Sequence, residues 1–169
     1  MSLPPNDPTA IPHPLASAAL DRPHHVALRA EGRAWTAAEL LEAVRRRAGA
    51  LAGLGIRAGD TVGLTGAPSV RWVITFHALG WIGATVAPLA GTDDVELSRD
   101  RVVDAHSGRF DGAALAERFW PLDEARLLLH TSGSTGAPQP VCLSTLQLLL
   151  SAFGSALRFI NECTEDSSI

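Results

Sequence analysis

The spacing of apolar residues along this chain changes period repeatedly, and each change predicts an element. Pro4, Pro5, Pro8, Pro12 and Pro14 forbid helix and favour an extended, partly disordered arm over residues 1–14. Residues 15–20 then predict a short helix that Pro23 stops. Residues 25–30 and 33–36 flank Glu31-Gly32 and read as a small hairpin. Thr36-Ala-Ala-Glu39 has the spacing of a capping box. Ala37, Leu40, Leu41, Val44, Ala48, Leu51 and Leu54 follow three-and-four spacing, so one buried stripe runs along a helix that Gly55 can close in the left-handed region.

A turn over residues 56–60 leads to a strand at Thr61–Thr65. The Gly66-Ala67-Pro68-Ser69 turn feeds a second helix from Ser69 to about Gly80, with proline near its first position. A further strand covers residues 83–89. Strand, helix and strand alternate, which predicts an α/β fold with a mostly parallel sheet flanked by helices. The polar region 90–120 is less clearly patterned: residues 93–104 fit a charged helix, and residues 111–119 fit a better one with Asp111 as its cap. Ala125–Thr131 is a strand, residues 141–143 are another, and Ser144 or Thr145 caps a final helix. Its stripe is Leu146, Leu149, Leu150, Phe153, Leu157 and Ile160. The organisation is therefore an arm at 1–14, an α/β unit at 15–160 and an irregular tail at 161–169.

Between the last two strands lies the stretch with the clearest chemistry. Thr131-Ser132-Gly133-Ser134-Thr135-Gly136-Ala137-Pro138-Gln139-Pro140 interrupts two apolar runs with small, hydroxylated, Gly and Pro residues. No bulky side chain hinders it, so backbone N–H groups and hydroxyls can converge on an anion such as a nucleotide triphosphate.

Composition narrows the function. The 169 residues are 46% apolar, enough for one domain with a real core. No run of about 18 apolar residues and no signal-peptide layout is present, which reads as a soluble, cytoplasmic protein without a membrane partner. Net charge is −4 and the 14 basic residues are all arginine, so no broad basic face for nucleic acid exists. Arg45-Arg46-Arg47 falls inside a helical pattern and reads as a solvated face. Cys142 and Cys163 have no partner spacing for a disulfide or zinc site, and Cys142 reads as a buried, inert thiol in an apolar strand. His24-His25 lacks the companions of a metal site.

Other phosphate and catalytic motifs fail. No Gly-Lys-Ser/Thr follows the loop, Gly63 and Gly66 do not complete a dinucleotide fingerprint, and Ser134 has neither a G-x-S-x-G frame nor a later histidine.

Thr131 to Pro138, with a strand before it and Pro140-Val141 after it, resembles the signature loop of adenylate-forming acyl- and aryl-CoA ligases, usually written T-S-G-[ST]-T-G-x-P-K. Ser, Thr, Gly and Pro also make ordinary loops, but residues 27–91 resemble the opening of the same family's large N-terminal domain. The marks are Trp35-Thr36 at a helix start, Gly59-Asp60 before a strand, and Gly80-Trp-Ile-Gly-Ala84 before Val86-Ala-Pro-Leu89. Pro140-Val141 and Ser151-Ala-Phe-Gly-Ser-Ala156 are similar to the o-succinylbenzoate-CoA ligases of menaquinone biosynthesis.

The resemblance implies that a carboxylate attacks the α-phosphate of ATP, releasing pyrophosphate, and that the thiol of coenzyme A then displaces AMP. It implies ATP with Mg2+ and coenzyme A as cofactors, and a carboxylic acid as the other substrate. Thr131, Ser132, Gly133, Ser134, Thr135, Gly136 and Gln139 would hold the nucleotide phosphates. No catalytic or metal-binding residue is carried over. Gln139 stands where the family has lysine, and the adenine-binding stretch, the acidic metal ligand, the ribose aspartate and the C-terminal lid with its lysine have no counterpart in these residues. Two readings follow. One is the N-terminal portion of an AMP-forming acid–thiol ligase, inactive by itself. The other is a non-catalytic remnant that binds nucleotide or protein, with the final helix's stripe available for self-association.

Overall fold

The computed structural model describes residues 9–89, 101–117, 119–131 and 139–165. A five-stranded sheet organises them, in the order β6-β4-β5-β8-β9: β6 is Val102–Asp104, β4 Thr61–Thr65, β5 Thr85–Pro88, β8 Ala125–Thr131 and β9 Gln139–Ser144. The first four run parallel and β9 returns antiparallel to β8. Two short antiparallel pairs flank it: β1 (Ala10–Ile11) with β7 (Trp120–Pro121), and β2 (Val26–Ala30) with β3 (Arg33–Thr36). The α/β expectation with a mostly parallel sheet holds.

The helices form where capping chemistry and apolar stripes agree. α2 (Ala37–Gly53) opens on the expected capping box: Glu39 N donates to Thr36 Oγ1 at 3.2 Å and Thr36 N donates to Glu39 Oε2 at 2.9 Å. Its stripe buries Leu40, Val44, Ala48 and Leu51 against Val62 and Leu64 of β4 and against α3 (Val70–Ile82). α3 departs from expectation at both ends. Ser69 is the cap, accepting from Trp72 N at 3.1 Å, which puts Pro68 outside the helix, and Gly83 closes it at φ 95° instead of opening the next strand. α1 (Pro14–Asp21) is capped by His13, whose Nδ1 accepts from Leu15 N at 3.0 Å. α4 (Thr145–Glu165) continues through much of the tail expected to be irregular.

The largest correction concerns residues 101–117. Val102–Asp104 is strand, not the end of a charged helix, because it adds to β4 in parallel and Asp104 turns the chain by accepting from His106 N and Ser107 Oγ. The rest of that expected helix, residues 93–100, lies outside the described residues. No helix forms over the described part of 111–119 either. That segment is an extended strap whose polar groups bond across to helices. Leu115 N donates to Arg45 O, Arg45 Nε donates to Leu115 O, and Trp81 Nε1 donates to Ala116 O. Asp111 pairs with Arg109 rather than capping anything. The strap lies so close to α2 that a Cβ on Gly49 would fall 1.8 Å from the Ala113 carbonyl oxygen.

The arginine triplet is correspondingly not a solvated face. Arg46 does pair outward with Glu42, but Arg47 is 1% exposed. Its guanidinium donates to Arg109 O at 2.7 Å, Ser107 O at 3.0 Å and Thr75 Oγ1 at 3.3 Å, and it covers the Phe110 ring at 4.1 Å. Desolvation holds its pKa below the usual arginine value. Arg47→Ala would leave two carbonyls and a hydroxyl unpaired inside the fold, and urea denaturation should show a loss of about 3 kcal/mol. Arg47→Lys should recover only a minor part, since one ammonium cannot span the fork of acceptors. A loss near zero would show that the strap is held by packing alone.

His13 is fully buried among His77, Trp81 and Trp120. Burial, then the neighbouring His77 and Arg126, lowers its pKa from 6.5 to about 3, and burial lowers that of His77 to about 4. Both rings are neutral in the folded chain, whereas unfolded chains take up protons below pH 6.5, so stability falls as pH drops from there towards about 3. One pKa unit corresponds to about 1.4 kcal/mol. His13→Asn keeps an acceptor for Leu15 N and removes a titrating group. Its unfolding free energy should therefore depend less steeply on pH between 6.5 and about 4 than that of the parent chain. Equal slopes would contradict a buried neutral His13.

Candidate functional site

β8 begins inside the fold and ends outside it. Arg126, 2% exposed, anchors the start: its Nε donates to Thr145 Oγ1 at 3.1 Å, its Nη2 donates to Glu124 Oε2 at 2.5 Å, and its guanidinium covers the Trp120 ring at 4.4 Å. Thr145 N in turn donates to Glu124 O at 3.0 Å. This buried polar knot ties the first turn of α4 to the base of β8, so both ends of the hairpin are fixed. Ser144 caps α4 reciprocally: Ser144 N donates to Gln147 Oε1 at 2.8 Å and Gln147 N donates to Ser144 Oγ at 3.4 Å.

Further along, His130 pairs with Pro140 and Thr131 pairs with Gln139 across the ladder. The strand, loop, strand expectation is met at both flanks, with β9 starting two residues earlier than the expected 141–143. Thr131 stands at the carboxyl end of a strand that runs parallel to β5, the edge at which open α/β sheets bind ligands. Of the candidate phosphate-binding residues, Thr131 and Gln139 are brought face to face. Ser132, Gly133, Ser134, Thr135 and Gly136 lie outside the described residues. Gln139 is exposed.

Cys142 is exposed, not buried. It lies on β9, an edge strand of the sheet, so an apolar sequence run there does not guarantee cover. The same edge exposes Val141 (39%), and the adjoining face of α4 exposes Leu146 (44%), Leu150 (61%) and Phe153 (63%). The side chains of Leu157 and Ile160 lie outside the described residues. Arg126 and Thr145, which position the hairpin, were not singled out from sequence. Arginine next to a run of leucines carries no signal that it will be buried, and Thr145 read only as a possible cap.

The donor set suits phosphate better than metal. The sequence of the connection supplies hydroxyls and an amide, and it holds no Asp or Glu between Ala125 and Asn161. Among the described residues no cluster of three or more His, Cys, Asp or Glu is placed to hold a metal ion, and no helix is long and apolar enough to cross a membrane.

Known proteins are similar in sequence and in fold. The chain is 31% identical over 150 residues to the feruloyl-CoA synthase of an Amycolatopsis species, covering 72% of this chain and 30% of that protein. It is 29% identical over 181 residues to the 2-succinylbenzoate–CoA ligase of a Geobacillus species (strain WCH70), covering 91% and 37%. The chain thus spans about a third of the length of these relatives. Its fold superposes on the o-succinylbenzoate coenzyme A synthetase of Bacillus subtilis in complex with ATP and magnesium, with a TM-score of 0.75, 24% identity, and cover of 89% of this chain and 37% of that one. The N-terminal subdomain of Klebsiella oxytoca NpsA gives a TM-score of 0.65 at 22% identity, over 78% of this chain and 41% of that one. Residues 15–105, more than half of the 169, match the AMP-binding enzyme family, and the chain belongs to it.

Proposed function

We propose that these residues form the N-terminal part of an ATP-dependent acyl- or aryl-CoA ligase of the o-succinylbenzoate-CoA ligase type, acting in menaquinone biosynthesis. The connection from Thr131 to Gln139 holds the β- and γ-phosphates of ATP. Membership of the AMP-binding family supports the reaction class, and the 2-succinylbenzoate–CoA ligases among the relatives support the substrate. The observation that carries the phosphate role is the pairing of Thr131 with Gln139 at the carboxyl edge of the parallel strands.

In this reading Thr131, Ser132, Ser134 and Thr135 donate hydroxyl hydrogen bonds, Gly133 and Gly136 let backbone N–H groups approach the phosphate oxygens, and Gln139 donates through its amide. Magnesium, when bound with ATP, neutralises phosphate charge. With no carboxylate between Ala125 and Asn161, its ligands come from elsewhere in the enzyme. Carboxylate activation and thioester formation with coenzyme A likewise need groups beyond this chain, so it is inactive alone.

A charge-assisted hydrogen bond to phosphate contributes about 1.5–3 kcal/mol, so a neutral amide at 139 forfeits much of that. Titration calorimetry with Mg-ATP should show Gln139→Lys binding about 10- to 100-fold tighter than the parent. Neither chain alone should release pyrophosphate in the presence of o-succinylbenzoate. Unchanged affinity in the variant would remove residue 139 from the site, and turnover by either chain would overturn the claim of inactivity.

The exposed apolar side chains of β9 and α4 favour a second reading, a non-catalytic remnant that associates through this face. Sedimentation velocity on the 169-residue chain should show concentration-dependent association that the double variant Leu150→Glu/Phe153→Glu abolishes. A monomer at every concentration would reject the association, and strong ATP binding would favour the ligase reading.

A further inference from the structure

We infer that His13, His77 and Trp120 form a binding site for one neutral polar molecule, a buried water, which joins the amino-terminal segment to α3 and β7. Among the described residues, His13 Nε2, His77 Nδ1 and Trp120 Nε1 are each sealed from solvent without a hydrogen-bond partner. Orphaned buried polar atoms are costly, and three in one place point to a shared guest.

Both of the other rings border His13. The His13 ring centroid is 4.3 Å from that of Trp120 and 5.5 Å from that of His77, in edge-on arrangements. The six-membered ring of Trp120 packs on α3, where a Cβ on Gly80 would fall 3.0 Å from Cζ2 and 3.3 Å from Cη2. His77 stands three residues before Gly80, hence on the same face of that helix.

The donors and acceptors match water. His13 Nδ1 accepts from Leu15 N, so the neutral ring carries its proton on Nε2 and donates there. Indole Nε1–H also donates. His77 Nδ1 is left as the acceptor. One water accepts two hydrogen bonds and donates one, the usual complement of about three for a buried water. A cation is disfavoured by two inward N–H groups and by the Arg126 guanidinium over the Trp120 ring at 4.4 Å. An anion would need His77 as its other neutral tautomer, donating from Nδ1, so the same nitrogen–proton spectra that assign His13 separate the two guests. The nearby carboxylates are already engaged: Glu117 accepts from His13 N at 3.3 Å and Glu124 from Arg126.

NMR on the full chain tests the site independently of any nucleotide. Long-range nitrogen–proton spectra should show His13 as the Nε2–H tautomer, and both His13 Nε2–H and Trp120 Nε1–H should give cross-peaks to a long-lived water. Trp120→Phe keeps an aromatic ring but removes one donor, and should weaken the His13 cross-peak. His13→Asn keeps the helix cap and should abolish the cross-peak from Trp120. An Nδ1–H tautomer at His13, or a direct Nε2–H to Nδ1 bond between the two histidines with no water cross-peak, would overturn the proposal.

Discussion

A guanidinium sealed between two helices and a strap governs how the middle of this chain is laid down. Arg47 projects from α2, touches Thr75 on α3, and takes the carbonyls of Ser107 and Arg109 just as the chain leaves β6. Those bonds commit residues 107–117 to an extended path over α2. Charge-assisted bonds to carbonyls in a water-poor setting are stronger than neutral ones, and once formed they leave no cheap alternative for the cation. The path matters because β6 lies at one edge of the sheet, whereas β8 lies beyond β5. The strap carries the chain across, and so decides where β8 enters and where its carboxyl end emerges.

Elements with self-sufficient local signals were legible in the sequence. The Thr36 to Glu39 capping box, the Glu31-Gly32 hairpin, the strand at Thr61–Thr65 and the strand that ends at Thr131 all appear where residue type and spacing put them. The capping box and the hairpin are closed by bonds within a few residues, and the two strands are short apolar runs bounded by turn residues.

What was not legible depends on partners distant in sequence. Residues 111–117 have good helical composition, yet Leu115 bonds to Arg45 and Ala116 to Trp81, a tertiary override of propensity. Arg47 looked like the middle of a solvated run because the strap that buries it lies 60 residues later. Cys142 is the opposite case: its run is apolar enough for a core strand, but among the described residues no further strand pairs with β9 on its far side. The candidate site divides along the same line. Thr131 is legible as the end of its strand, Gln139 reads as part of the loop although the ladder includes it, and the buried Arg126 and Thr145 knot has no sequence signature.

One compositional fact links the site to its surroundings. From Leu127 to Leu157 the chain carries no Asp, Glu, Lys or Arg. That stretch contains the loop, whose sequence is rich in hydroxyls, and β9 and the first turns of α4, where apolar side chains are exposed. Hydroxyls and amides can shape a pocket around phosphate oxygens, but they leave the charge of a triphosphate uncompensated, and Coulombic attraction falls off too slowly to be replaced by a few neutral dipoles. The apolar side, left open along an edge strand, is a surface that gains by being covered. Both deficits belong to the same hairpin. In the ligase reading proposed above, an element that supplies compensating charge to the loop while packing on β9 and α4 would satisfy the two at once, and would couple nucleotide binding to burial of that face.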